Sequence, residues 1–77
     1  MLDLENAIKE IFIEKEIMLP NWKIQITDKE ILGKSDYAKV TVDVFKPRKK
    51  KPEITWILAI NMVREQIHWD KSEFYHK

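Results

Sequence analysis

Ile54-Thr55-Trp56-Ile57-Leu58-Ala59-Ile60-Asn61-Met62-Val63-Arg64-Glu65-Gln66-Ile67-His68 is the stretch whose reading decides the fold. Ile54, Trp56, Leu58 and Ile60 alternate as a strand with one buried face would. Trp56, Ile60, Val63 and Ile67 also recur at helical spacing. Pro52 and Glu53 suit a first helical turn, and the length of the run favours a helix. The spacing therefore predicts a helix over 53–68, interrupted near Asn61. Residues 53–60 as a strand remain the alternative, which gives a helix, a three-stranded antiparallel sheet and a second helix.

Upstream the pattern is plainer. Leu4, Ile8, Ile11, Phe12, Met18 and Leu19 form the buried stripe of an amphipathic helix over 2–19. Asp3 can cap its start, and Pro20 stops it near Leu19. At Trp22 the period changes to two: Trp22, Ile24 and Ile26 alternate with Lys23, Gln25 and Thr27. Ile31 and Leu32 fall out of parity, which marks a bulge or a strand end. Gly33-Lys34-Ser35-Asp36 carries turn chemistry, and Gly33 alone in the chain takes positive φ freely. A second strand follows, with Val40, Val42 and Val44 on one face and Tyr37, Lys39, Thr41, Asp43 and Phe45 on the other. The two strands should pair as an antiparallel hairpin. Ser72-Glu73-Phe74-Tyr75-His76 reads as a short strand or a frayed end.

Between the hairpin and the undecided stretch lies Lys46-Pro47-Arg48-Lys49-Lys50-Lys51-Pro52. Five positive charges around two prolines cannot be packed, so the segment is an exposed, extended loop. It gives meaning to a net charge of only +1. Residues 1–32 hold four lysines against seven acids, and residues 52–77 hold three basic residues against four acids. Residues 33–51 hold seven basic residues against two acids. A mildly acidic body thus carries one concentrated basic spot. Such a cluster releases counterions when it meets a phosphate backbone, and Lys23, Lys34 and Lys39 on the hairpin can extend it. The competing use of these lysines is to blunt a sheet edge.

At 77 residues the chain makes one small domain, 1–77, with no cysteine for disulfides or thiolate zinc sites. The longest apolar run, Trp56–Ile60, is far short of the ~20 residues that span a bilayer. Asp3 and Glu5 stand where a signal peptide would carry lysines, so the protein is expected to be cytoplasmic and away from membranes.

Ile24-Gln25-Ile26-Thr27-Asp28-Lys29-Glu30-Ile31, followed by Ser35-Asp36-Tyr37-Ala38-Lys39-Val40-Thr41-Val42-Asp43-Val44, resembles the ribosome-binding factor A family. Tyr37–Val42 matches that family's second strand almost residue for residue, and Leu4–Leu19 with Pro20 fits its first helix and exit. Ala59-Ile60-Asn61 sits at its interhelical kink, and Met62-Val63-Arg64 is similar to the residues just after that kink. Ser72-Glu73-Phe74-Tyr75 is what remains of its last basic run. The resemblance implies an α+β, KH-like order of helix-strand-strand-helix with a short or missing last strand. It also implies a factor that touches small-subunit ribosomal RNA during maturation.

No catalytic set is visible. The serines are Ser35 in a turn and Ser72, the histidines are His68 and His76, and no nucleophile, base and orienter group together. His68, Asp70 and His76 match no recognised metal spacing, and no cofactor is expected. Trp22 and Trp56 lie on apolar faces and read as core, while Trp69 is uncommitted. The expectation is a non-enzymatic binding module that contacts structured, ribosomal RNA through Lys46, Arg48, Lys49, Lys50 and Lys51, with Lys39 and Lys34 beside them. The alternative is a small protein-interaction regulator or inhibitor of a mobile element or phage, using Trp69, Phe74 and Tyr75 as an exposed apolar surface.

Overall fold

The apolar stripe of the first segment winds into a helix, α1 (Leu4–Glu14), in the computed structural model, which describes residues 4–33 and 36–76. The Asp3 cap and the Lys34-Ser35 part of the first turn lie outside the described residues. α1 ends five residues before the predicted stop at Leu19. Glu16 adopts φ 61°, its N–H donates to Ile13 O at 3.1 Å, and Ile17 N–H donates to Phe12 O at 2.8 Å. That pair of bonds is a Schellman termination with Glu in the place glycine usually takes. Pro20 plays no part in the stop. Freed from the helix, Met18 turns inward and is buried.

Four strands follow: β1 (Lys23–Ile31), β2 (Tyr37–Phe45), β3 (Ile54–Asn61) and β4 (Gln66–His76). They form one antiparallel sheet in the order β1-β2-β3-β4, each strand paired with its neighbour in the chain. The expected β1–β2 hairpin is present, with Ile24 opposite Val44 and Ile26 opposite Val42. A register shift between Ile26 and Asp28 moves the helix-side positions from even to odd residues. That shift is the physical reason for the parity break at Ile31.

The helix predicted over 53–68 is absent. Those residues are β3, a four-residue turn (62–65) and the start of β4. The KH-like helix-strand-strand-helix order is therefore corrected to one N-terminal helix and a four-stranded meander. The alternative with a second helix falls too, although its strand over 53–60 is present. The last strand is neither short nor missing, since β4 at 11 residues is the longest in the sheet.

Burial explains the outcome. Ala38, Val40, Val42 and Val44 are fully buried along one face of β2. β1 covers only one flank of that row, and β3 covers the other by setting Ile60, Leu58, Trp56 and Ile54 opposite them. A helix over 53–60 would be apolar all round and would leave the β2 edge bare. Asn61, which the resemblance placed at an interhelical kink, instead ends β3. Its Oδ1 accepts the N–H groups of Val63 at 3.0 Å and Arg64 at 2.9 Å, and the left-handed residue of the turn is Glu65, φ 55°.

α1 lies on the face that carries the valines. Ile8 and Phe12 are its fully buried residues, each contributing about 1.5–3 kcal/mol by removal from water. The Phe12 ring centroid is 5.7 Å from that of Trp56 and 6.0 Å from that of Trp69. Trp69 is thus half-buried against the core, as is Trp22. Trp56 Nε1 is buried without a hydrogen-bond partner. In β4 three extra residues bulge between His68 and Glu73. Ser72 fills the gap, its Oγ accepting Ala59 N–H at 3.1 Å and donating to His68 O at 2.8 Å.

An L-residue held left-handed costs about 1–2 kcal/mol, part of which glycine recovers. Glu16→Gly is expected to raise the free energy of unfolding by about 0.5–1 kcal/mol. A urea-denaturation midpoint that is unchanged or lower would contradict the termination described for α1.

Candidate nucleic-acid interface

The loop between β2 and β3 is built on a turn. Lys49 N–H donates to Lys46 O at 3.2 Å, with Pro47 and Arg48 as the central residues and Arg48 at φ 65°. Proline followed by a positive φ is the pattern of a type II turn, whose second central place favours glycine. Here an arginine occupies it. At the loop's base, Glu53 N–H donates to Val44 O at 2.8 Å and closes the segment onto the sheet.

The five cations of the loop do not stand alike. Lys46 Nζ lies 3.4 Å from Glu53 Oε1 and 5.6 Å from the centroid of the Trp22 ring, so this lysine is partly neutralised and held in place. Arg48, Lys49, Lys50 and Lys51 are exposed, and none forms an ion pair among the described residues. Lys23, opposite Phe45 at the start of β1, joins Arg48, Lys49 and Lys50 around an open groove of about 540 Å³.

Lys39 is not part of this cluster. It pairs with Glu30 and lies roughly 23 Å along β2 from Lys46, at seven residues of about 3.3 Å each. Lys34 lies outside the described residues. The cations that converge are therefore Lys23, Lys46, Arg48, Lys49, Lys50 and Lys51. Of the three hairpin lysines expected to extend the cluster, Lys23 is the one that the β1–β2 register brings to the loop.

The sheet face opposite α1 is a different environment. By register Asp28, Glu30, Asp43 and Glu73 lie on it, together with Lys23 and Lys39. Thr55 Oγ1 donates to Asp43 Oδ1 at 2.6 Å, and the Tyr75 hydroxyl donates to Glu73 Oε2 at 2.7 Å. That bond, with the charge of the carboxylate, raises the Tyr75 pKa above its ordinary 10.0. The Tyr37 hydroxyl and His68 Nε2 are 3.0 Å apart, and Lys71 Nζ lies 5.1 Å from the Tyr37 ring centroid. These groups engage one another, and the acids make the face a poor surface for phosphate. The Ser72 hydroxyl is spent on the His68 carbonyl.

Among the described residues no three His, Asp or Glu side chains are grouped to hold a metal, and no helix is long and apolar enough to cross a membrane. What the arrangement can do chemically is bind an anion at one end of the sheet. The arginine at the glycine-favouring place of the turn implies a measurable cost. Arg48→Gly is expected to stabilise the fold by about 0.5–1 kcal/mol in thermal or urea unfolding, and a loss of stability would show the loop to be unstrained.

Comparison with family models, with curated proteins and with solved structures finds no match for this chain.

Proposed function

We propose that the protein is a non-enzymatic RNA-binding module that grips the phosphate backbone of a structured RNA with the β2–β3 loop. The observation that carries this reading is the exposed set Arg48, Lys49, Lys50 and Lys51, without an ion pair among the described residues, at one end of an otherwise acidic body. Phosphate contacts of this kind position a protein without reading sequence. α1 is no reader of a DNA major groove, since it faces the sheet with its apolar side and solvent with Glu5, Glu10 and Glu14. Ribosomal RNA and a place in small-subunit maturation rest on the resemblance of Ile24–Ile31 and Ser35–Val44 alone, because the KH-type fold it implied is not the one present.

Arg48 strengthens the reading in a second way. A strained residue kept where glycine would be more stable points to use of its side chain. Four phosphate contacts give a slope of log K against log salt of about −2.8 to −3.6, at roughly 0.7–0.9 per contact. Replacing the four cations together with serine is expected to flatten most of that slope. Arg48→Gly alone is expected to reduce it by about 0.7–0.9 while stabilising the fold. Glu16→Gly, equally relieved of strain but remote from the loop, is expected to leave it unchanged. A salt-independent affinity in the parent protein, read by fluorescence anisotropy with a labelled RNA hairpin, would overturn the proposal.

A further inference from the structure

Among the described residues, the end of the sheet opposite the basic loop is left partly uncovered. α1 has 11 residues and spans about 16 Å, whereas the nine-residue strands β1 and β2 span roughly 30 Å. Towards the β1–β2 and β3–β4 turns, the helix side of the sheet opens into a groove of about 260 Å³. Its apolar lining includes Leu4, Ala7, Ile11, Ile60, Met62 and Ile67. The two turns that border it are tied together by Met62 N–H donating to Asp36 O at 2.8 Å, and the β1–β2 turn is closed on itself by Leu32 N–H donating to Tyr37 O at 3.1 Å. Beside the groove, Ile31 is 68% exposed and Val63 72%, with Leu32 and Met62 also exposed. Four of the seven exposed large apolar residues among those described thus gather at one end. Lysine and glutamate also line the groove, as Lys29 and Glu65, and neither forms an ion pair among the described residues.

We propose that this end is the interface of a symmetric dimer, its occupant being the same end of a second copy of the chain. A contiguous apolar patch facing water marks an interaction surface. The two charges identify the partner. The patch carries one charge of each sign, so a two-fold axis that sets Lys29 of one copy against Glu65 of the other pairs both charges, twice. A partner of uniform charge would satisfy one of them and bury the other unpaired. The area sets the strength. A body 40 × 23 × 22 Å, meeting its copy end on, presents a cross-section of at most roughly 500 Å² per subunit, about 1,000 Å² in all. That is the low end for specific association, so the dimer forms in a concentration-dependent way. Each basic loop then lies at the far end of its subunit, clear of the interface.

Analytical ultracentrifugation of the full chain from roughly 10 µM to 1 mM tests this directly. The average mass is expected to rise from 9.3 kDa towards twice that value. Ile31→Glu and Val63→Glu, both at exposed positions, are expected to hold the protein at the monomer mass, with circular dichroism confirming their fold. Lys29→Glu and Glu65→Lys are each expected to weaken association about tenfold, and the double exchange to restore it. A monomer at every concentration overturns the proposal. So does a dimer that survives both Ile31→Glu and Val63→Glu, which would move the contact to the β4 edge. A double exchange no tighter than the single variants would overturn the Lys29–Glu65 pairing, and with it the choice of a second copy.

Discussion

One eleven-residue helix covers one face of a sheet whose strands are about twice its length. The core, the groove and the exposed end all stem from that mismatch. Phe12 sits where the helix does most, against Trp56 and Trp69, while the β2 valines fill the layer between. Because α1 ends at Glu14 and the chain turns at Glu16, Met18 closes the core towards the basic-loop end. Among the described residues nothing equivalent closes the other end, where Ile31 and Val63 remain in water.

The helix side of the hairpin was legible because two periods agree there. Ile8 and Phe12 recur at helical spacing, Val40, Val42 and Val44 at strand spacing, and each run is bounded by turn residues. Residues 54–68 offered no such agreement. Their apolar density satisfies both templates, and the deciding factor is non-local: the buried row of β2 needs a second neighbour. β4 was harder still. Its helix-side residues Ile67 and Phe74 are separated by a bulge that only Ser72 makes tenable, so no alternation survives in the sequence. The resemblance was carried by Ile24–Ile31 and Ser35–Val44, with Leu4–Leu19 before them, and a helix and hairpin motif does not specify whether the next element is a helix or another strand.

The candidate interface was legible as composition and hidden as geometry. Five cations between residues 46 and 51 announce a charged loop in any fold. That Lys46 spends its charge on Glu53 and Trp22, that Lys23 approaches and that Lys39 stands far off all depend on strand register. Arg48 is the residue whose role changed most. In sequence it is one positive charge among five; in the structure it holds a backbone conformation that a purely structural turn would give to glycine.

The central claim is that phosphate is received at the loop end of the sheet and nowhere else on the molecule. Backbone amide chemical shifts, recorded while an RNA hairpin is added at low salt, test it most directly. Shifts confined to residues 22–25 and 45–53, and reversed by added salt, are the result expected. Shifts centred on the open sheet face around Tyr37 and His68, or on the groove beside Ile11 and Met62, would contradict it, as would the absence of any shift.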